Sequence, residues 1–178
     1  MFISAPAALL STMSMLGIVL TAGSLFCASR PPASQQTDCI VRRVVDGDTF
    51  HCRNGPKVRL IGIDSPERQQ GPYGVRSRQA LLRMAPPGTE VRLEHDVALT
   101  DRYGRLLAYA WIGNTFVNEA LVGEGWAVLF TVPPNVKYAK RLGEAQNKAR
   151  ARGAGLWSER GFDCLPVDFR RGMCLSRP

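Results

Sequence analysis

The sequence is short of lysine, histidine and amino-terminal charge, and each shortage narrows the reading. Only four of its 23 basic side chains are Lys (57, 137, 140 and 148), so the formal charge of +8 is carried by arginine. Arginine presents a planar fork that pairs bidentately with phosphate, whereas lysine acts as a point charge. A pI near 9.7 built this way points to a polyanionic partner, nucleic acid first, with a merely solubilising basic surface as the alternative. The chain has two histidines, His51 and His95, and no Cys-x-x-Cys pair, which speaks against a zinc site. With 45% apolar and 21% charged residues the chain is not of the disordered class. Its length suits one domain with extensions, and it shows no internal repeat.

The first 37 residues hold a single charged side chain, Arg30. Residues 5–26 are apolar apart from Ser and Thr, and "SLFCAS" ends the run with small residues near Ala28 and Ser29. Residues 1–29 therefore read as a signal peptide. No Lys or Arg precedes the run, and its length would also span a bilayer, so an N-terminal membrane anchor is the competing reading. Residues 30–37 read as a linker, 38–158 as the folded domain and 159–178 as a Cys-containing extension. Either reading implies export, with the protein secreted or periplasmic. Loss of the leader with Cys27 leaves Cys39, Cys52, Cys164 and Cys174, an even count that favours disulfides in an exported chain. Of the possible pairings, Cys39–Cys52 across one hairpin and Cys164–Cys174 within the tail are preferred.

"CIVRRVV", "TFHCR" and "KVRLIGI" are β-like runs separated by Asp46-Gly47-Asp48 and "NGP". "GPYGVRSRQALLRMAPPG" has helical spacing and a Pro-Pro-Gly stop. "TEVRLEHDV" and "LLAYAWI" read as strands, and "TFVNEALVGEGWA" as a short helix. A longer helix runs to about Arg152, with Asn135 as its expected cap and Tyr138, Leu142, Ala145 and Ala149 on one face. Three strands, a helix, two strands and two helices suit an α+β protein: a five-stranded OB-type barrel carrying three α-helices.

A basic chain that gathers Asp46, Asp48, Asp64 and Glu67 around Arg59 needs an account of its acids. Taken singly, Asp46-Gly47 is a turn signal, and "DSPE" resembles a helix capping box. Taken together, Asp48 at the first hairpin and Asp64 at the end of the third strand can converge at one rim of a small barrel. Two carboxylates with a backbone carbonyl and water or phosphate oxygens make a hard-oxygen site that suits Ca²⁺. A bound dication reverses the local field and admits a phosphodiester.

"VVDGDTF", "VRLIGIDSPE", "TDRYGRLLAYAW", "VNEALV" and "GLWS", in this order, resemble the staphylococcal nuclease (thermonuclease) family over about Ile40 to Ser158. The resemblance implies Ca²⁺-dependent hydrolysis of DNA and RNA leaving 3′-phosphate ends, by a monomer with no stable protein partner. It implies Asp48 and Asp64 as metal carboxylates and Ser65, in place of a more familiar threonine, as a carbonyl ligand. It implies Glu67 as general base, Arg59 and Arg105 as phosphate contacts, and Asp46 as a supporting acid. Arg102 and Tyr103 match an aromatic-basic pair beside the phosphate. Phe130 and Val132 stand where tyrosines cover a base; Phe130 could stack or simply pack, and Val132 could not stack. Between Glu67 and Tyr73 the chain has only "RQQGP", shorter than the family's lysine-rich loop. The rival readings are a non-catalytic nucleic-acid-binding OB module and a structural envelope protein.

Overall fold

The computed structural model describes residues 36–53 and 55–174, together with Met1. Residues 1–29, read as signal or anchor, and residues 30–35 of the linker lie outside the described residues apart from Met1. The chain divides into two compact units, Met1–Pro31 and Pro32–Pro178, and every named element lies in the second. Among the described residues no helix is long and apolar enough to cross a membrane.

β1 (Gln36–Val44) starts two residues inside the stretch read as linker. Its Cys39, Val41 and Val44 are buried, a pattern that simple alternation would break by turning Arg43 inward. A register shift between Val41 and Arg43 absorbs one residue, so Arg42 and Arg43 both stay in water. β2 (Thr49–Cys52) and β3 (Lys57–Leu60) continue the antiparallel meander. The third run then differs from the continuous strand expected: it breaks after Leu60, and β4 (Ile63–Asp64) follows as a separate piece. Gly62, at φ +77°, makes the turn between them, a conformation that side chains with a Cβ rarely adopt.

α1 (Pro72–Met84) leads to β5 (Glu90–Glu94), which pairs with the first half of β1, and β6 (Leu106–Ile112) pairs with β5. A parallel pairing of β3 with β6, Val58 opposite Leu106, closes the five strands into a barrel. β7 (Thr115–Phe116) extends the sheet past β6. α2 (Val117–Gly123), β8 (Val128–Leu129) and α3 (Ala139–Ala151) complete the expected three-helix complement, and a short α4 (Pro166–Arg170) lies in the tail. Val41, Phe50, Val58, Leu60, Leu93 and Tyr109 are buried in the main core, which also takes Leu81, Leu121 and Leu142 from the first three helices. A smaller cluster of Val128, Leu156 and Phe162 anchors the start of the tail.

Cys39 is bonded to Cys52 across the β1–β2 ladder, and Cys164 to Cys174 across α4. Asn135 does not cap α3, whose N-terminal neighbour is Tyr138. Its buried amide satisfies the backbone of Ala98 in both directions instead, accepting from N–H at 2.7 Å and donating to the carbonyl at 2.8 Å. The capping-box reading of "DSPE" fails as well: α1 starts behind Gly71, and the Glu67 N–H is satisfied by Gln70 Oε1 at 2.7 Å.

Asn118 ties this frame to the loop ahead of Asp64. It is fully buried, accepts from Ala110 N–H at 2.9 Å and donates to the Ile61 carbonyl at 2.8 Å. Replacing it with Ala leaves both backbone groups unpaired, which costs about 1–3 kcal/mol for each buried group. Chemical denaturation of Asn118→Ala is expected to show that loss, and a change below about 0.5 kcal/mol would contradict the bridging role.

Candidate active site

The hairpin turn between β1 and β2, the end of β3 and the short β4 meet at one rim of the barrel. Asp48 and Asp64 are both buried there, at 5% and 1% exposure, which is unusual for carboxylates without partners. One guanidinium supplies the partner for both. Arg59 pairs through Nε with Asp48 Oδ1 at 3.2 Å and donates from Nη2 to Asp64 Oδ1 at 2.9 Å. Its Nη1 donates to the Leu60 and Ile63 carbonyls at 2.7 and 2.9 Å, clasping the turn that breaks β3 from β4.

Asp48 also accepts from Thr49 Oγ1 at 2.9 Å and from the Ser65 N–H at 2.7 Å. Ser65 thus lies against Asp48 through its N–H. Burial works to raise the Asp48 carboxyl, but Arg59 and these hydrogen bonds outweigh it and hold it below the ordinary range. Asp46 turns the hairpin by accepting the Asp48 N–H at 3.2 Å. Burial, and after it the Asp48 charge, push its carboxyl up to about 7. Burial also pushes Asp64 above its usual value, with Arg170 and Arg59 pulling the other way.

Glu67 stands at the rim of the same site and is half-buried. It shares one nitrogen with Asp64: Arg170 Nη1 reaches Glu67 Oε1 at 2.7 Å and Asp64 Oδ1 at 3.1 Å. Arg170 Nη2 adds a bond to Asp64 Oδ2 at 2.8 Å. Sequence reasoning missed Arg170, because it treated the tail as an appendage. The residue has no local signal; its partners lie 106 and 103 positions away. Gln70 was missed in the same way, and its amide donates to the Cys164 carbonyl at 3.1 Å.

Arg105 is placed apart from the carboxylates. It directly precedes Leu106, which pairs with Val58, so it sits one strand over from Arg59. Among the described residues its contacts run to Asp101, through Nε at 2.7 Å, and to the Tyr103 ring at 5.4 Å. Asp101 also accepts the Tyr103 and Arg105 N–H groups, so it shapes the turn and aims Arg105 together. Burial opposes ionisation of Asp101, and the Arg105 hydrogen bonds overcome it to hold the carboxyl low. Tyr103 is 67% exposed, with the Arg102 and Arg105 guanidiniums over its ring. Phe130 follows β8, which pairs with β4, and its N–H bonds the Gly62 carbonyl at 2.9 Å. Half-buried, it lies under Arg170 at 5.9 Å. Val132 is exposed.

His51 and His95 belong to the scaffold. His51 is bonded to Arg43, and His95 bridges Thr37 and the Leu107 carbonyl. Among the described residues no three His, Cys, Asp or Glu side chains gather closely enough to hold a metal by themselves. Buried Glu94 is likewise structural: it receives Trp111 Nε1 at 2.9 Å, the Tyr138 hydroxyl at 3.0 Å and Lys137 Nζ.

A five-stranded barrel with paired carboxylates and arginines at one rim defines a class of hydrolase, and the comparisons with known proteins name it. Residues 57–159 match the model of the staphylococcal nuclease homologue family. The chain is 38% identical to the thermonuclease of Staphylococcus hyicus over 134 residues, 71% of this chain and 78% of that protein. It is 37% identical to the thermonuclease of Staphylococcus intermedius over 126 residues, covering 66% and 74%. Endonuclease YncB of Bacillus subtilis (strain 168) is 33% identical over 130 residues, covering 67% and 61%. The chain belongs to the staphylococcal nuclease family.

The position of Asp48 depends on Gly47. A Cβ at Gly47 would lie 1.8 Å from Ser77 Oγ and 2.7 Å from Ser65 Cβ, and Ser77 is itself buried and bonded to the Trp126 carbonyl. Gly47→Ala is expected to lose about 1–3 kcal/mol of stability through forced displacement of the turn. Thermal unfolding checks this; an unchanged melting temperature would show that the turn has slack.

Proposed function

We propose that this nuclease hydrolyses phosphodiester bonds of both DNA and RNA, with little sugar or sequence preference, in a Ca²⁺-dependent reaction. The observation that carries the reading is the convergence of Asp48 and Asp64, both buried, on Arg59 with Glu67 beside them. The donor chemistry fits a hard cation: Asp48, Asp64 and the Ser65 carbonyl would hold Ca²⁺, with water or phosphate oxygens filling its remaining positions. A cation there supplies positive charge that draws the phosphate in and stabilises the charge developing on its oxygens.

The chain's own groups do the rest. Glu67 accepts a proton from the attacking water, a role worth roughly 10²–10⁴ in rate. Arg105 offers its fork to the non-bridging oxygens, with Asp101 holding it in place, and Arg59, whose Nη2 keeps one N–H beyond its bond to Asp64, adds a contact and positive charge. Asp46 supports the turn. Exposed Tyr103, with Arg102 against it, suits stacking on a base, and half-buried Phe130, under Arg170, offers a second aromatic surface. A groove of about 430 Å³ lined by Arg43, Arg68 and Arg78 supports backbone contacts beyond the reacting phosphate. Affinity set by such contacts falls steeply with salt. The pairings Cys39–Cys52 and Cys164–Cys174 support action in an oxidising place outside the cytoplasm, after export through the apolar leader as a secreted, periplasmic or anchored monomer.

Digestion of single-stranded DNA, duplex DNA and RNA with Ca²⁺ and then with a chelator tests this directly. Cleavage of all three that stops on chelation is expected; cleavage indifferent to the chelator would sink the metal assignment. Glu67→Gln is expected to lower kcat by about 10²–10⁴ with its melting temperature nearly unchanged. Full activity in that variant would rule Glu67 out as the base.

A further inference from the structure

The tail is built to deliver Arg170. Phe162 is buried against Leu156 and Val128, so the chain is anchored before it turns toward the site. Gln70, from the loop after Glu67, donates to the Cys164 carbonyl and fixes the start of the next segment. The Cys164–Cys174 bond, across a sequence separation of 10, then closes the loop that contains α4 and Arg170. These attachments hold the segment without help from Arg170. The guanidinium nevertheless engages both oxygens of Asp64 and one of Glu67.

The charges give the contact its meaning. Leaving the supporting acid Asp46 aside, Asp48, Asp64 and Glu67 carry −3 and Arg59 and Arg170 carry +2, so these five groups stand at −3 + 2 = −1. A dication bound as well brings them to +1, opposite to one phosphodiester charge. Asp64 cannot give both oxygens to a guanidinium and also ligate a cation freely, so the two compete for it. The Arg170 side chain is 39% exposed, and its shortest bond to Asp64, from Nη2 to Oδ2, uses a different nitrogen from its bond to Glu67, so Oδ2 can be released to a cation while Nη1 remains on Glu67.

We propose that Arg170 is a positioning residue of the active site, which holds Asp64 and Glu67 in place and competes with the divalent cation for Asp64. The tail thereby sets how much cation the enzyme needs. The inference rests on the assignment of Asp64 as a cation ligand.

Calorimetric titration of the full chain with Ca²⁺, without nucleic acid, separates the possibilities. Arg170→Gln is expected to bind Ca²⁺ about tenfold more tightly than the parent, within the usual span for coupled sites. Arg170→Lys, which keeps the charge but loses the fork, is expected to fall between the two. Cys164→Ser/Cys174→Ser, which frees the tail while leaving Arg170 in the chain, is expected to shift affinity in the same direction. That pair also serves if Arg170→Gln does not fold. Damage to the fold alone would weaken Ca²⁺ binding, the opposite sign. Equal or weaker Ca²⁺ affinity in the variants overturns the competition while leaving the cation site standing. If neither parent nor variants bind Ca²⁺, the cation assignment and the competition fall together.

Discussion

Everything at the rim turns on the Arg59 guanidinium. Its three nitrogens serve four acceptors: two buried carboxylates, one from the β1–β2 turn and one from β4, and the carbonyls of Leu60 and Ile63 that flank the turn between β3 and β4. Two carboxylates cannot be buried side by side without compensating positive charge, because desolvation and mutual repulsion both oppose it. Arg59 therefore sets the geometry of the site and makes its burial possible. The barrel serves this pairing by bringing the hairpin turn, β3 and β4 to one edge. Asn118 fixes Ile61 just ahead of β4, and β8 holds Asp64 from the other side.

A division of labour among the arginines follows from their partners. Arg59 is 12% exposed and engaged inward, Arg105 is tied to its own turn by Asp101, and Arg170 arrives from the tail. The first builds, the second reaches outward from a fixed base, and the third is held by two carboxylates over the Phe130 ring. Lysine could not fill the places of Arg59 and Arg170 equally, since each uses more than one direction of the fork. The arginine bias of the composition has this local cause at the site as well as a surface one.

The fold was largely legible because its signals are short-range. Alternation marked β5, apolar β-like runs between turn residues marked β1 and β6, the Pro-Pro-Gly stop ended α1, and the spacing of Leu142, Ala145 and Ala149 marked the inner face of α3. Where the reading slipped, a long-range contact had overridden a local one. Asn135 has the residue type of a cap but satisfies Ala98, and "DSPE" has the spacing of a capping box but its Asp64 binds arginines. The grouping of Asp48, Arg59, Asp64 and Glu67 could be read from their order around two turns. Arg170 could not, because an isolated arginine in a tail carries no periodicity, and only the folded chain shows what it meets.

The closure of the barrel has a bearing on when the molecule becomes dangerous. The parallel pairing joins Val58 to Leu106, and parallel ladders between distant segments form late because the intervening chain must first be ordered. Until it forms, Arg59 and the start of β6 beside Arg105 stand at opposite sides of an open sheet. A ribosome releasing this chain handles a polypeptide whose cutting edge does not yet exist. Latency is thus a property of the topology itself, available to the producing cell without an inhibitor.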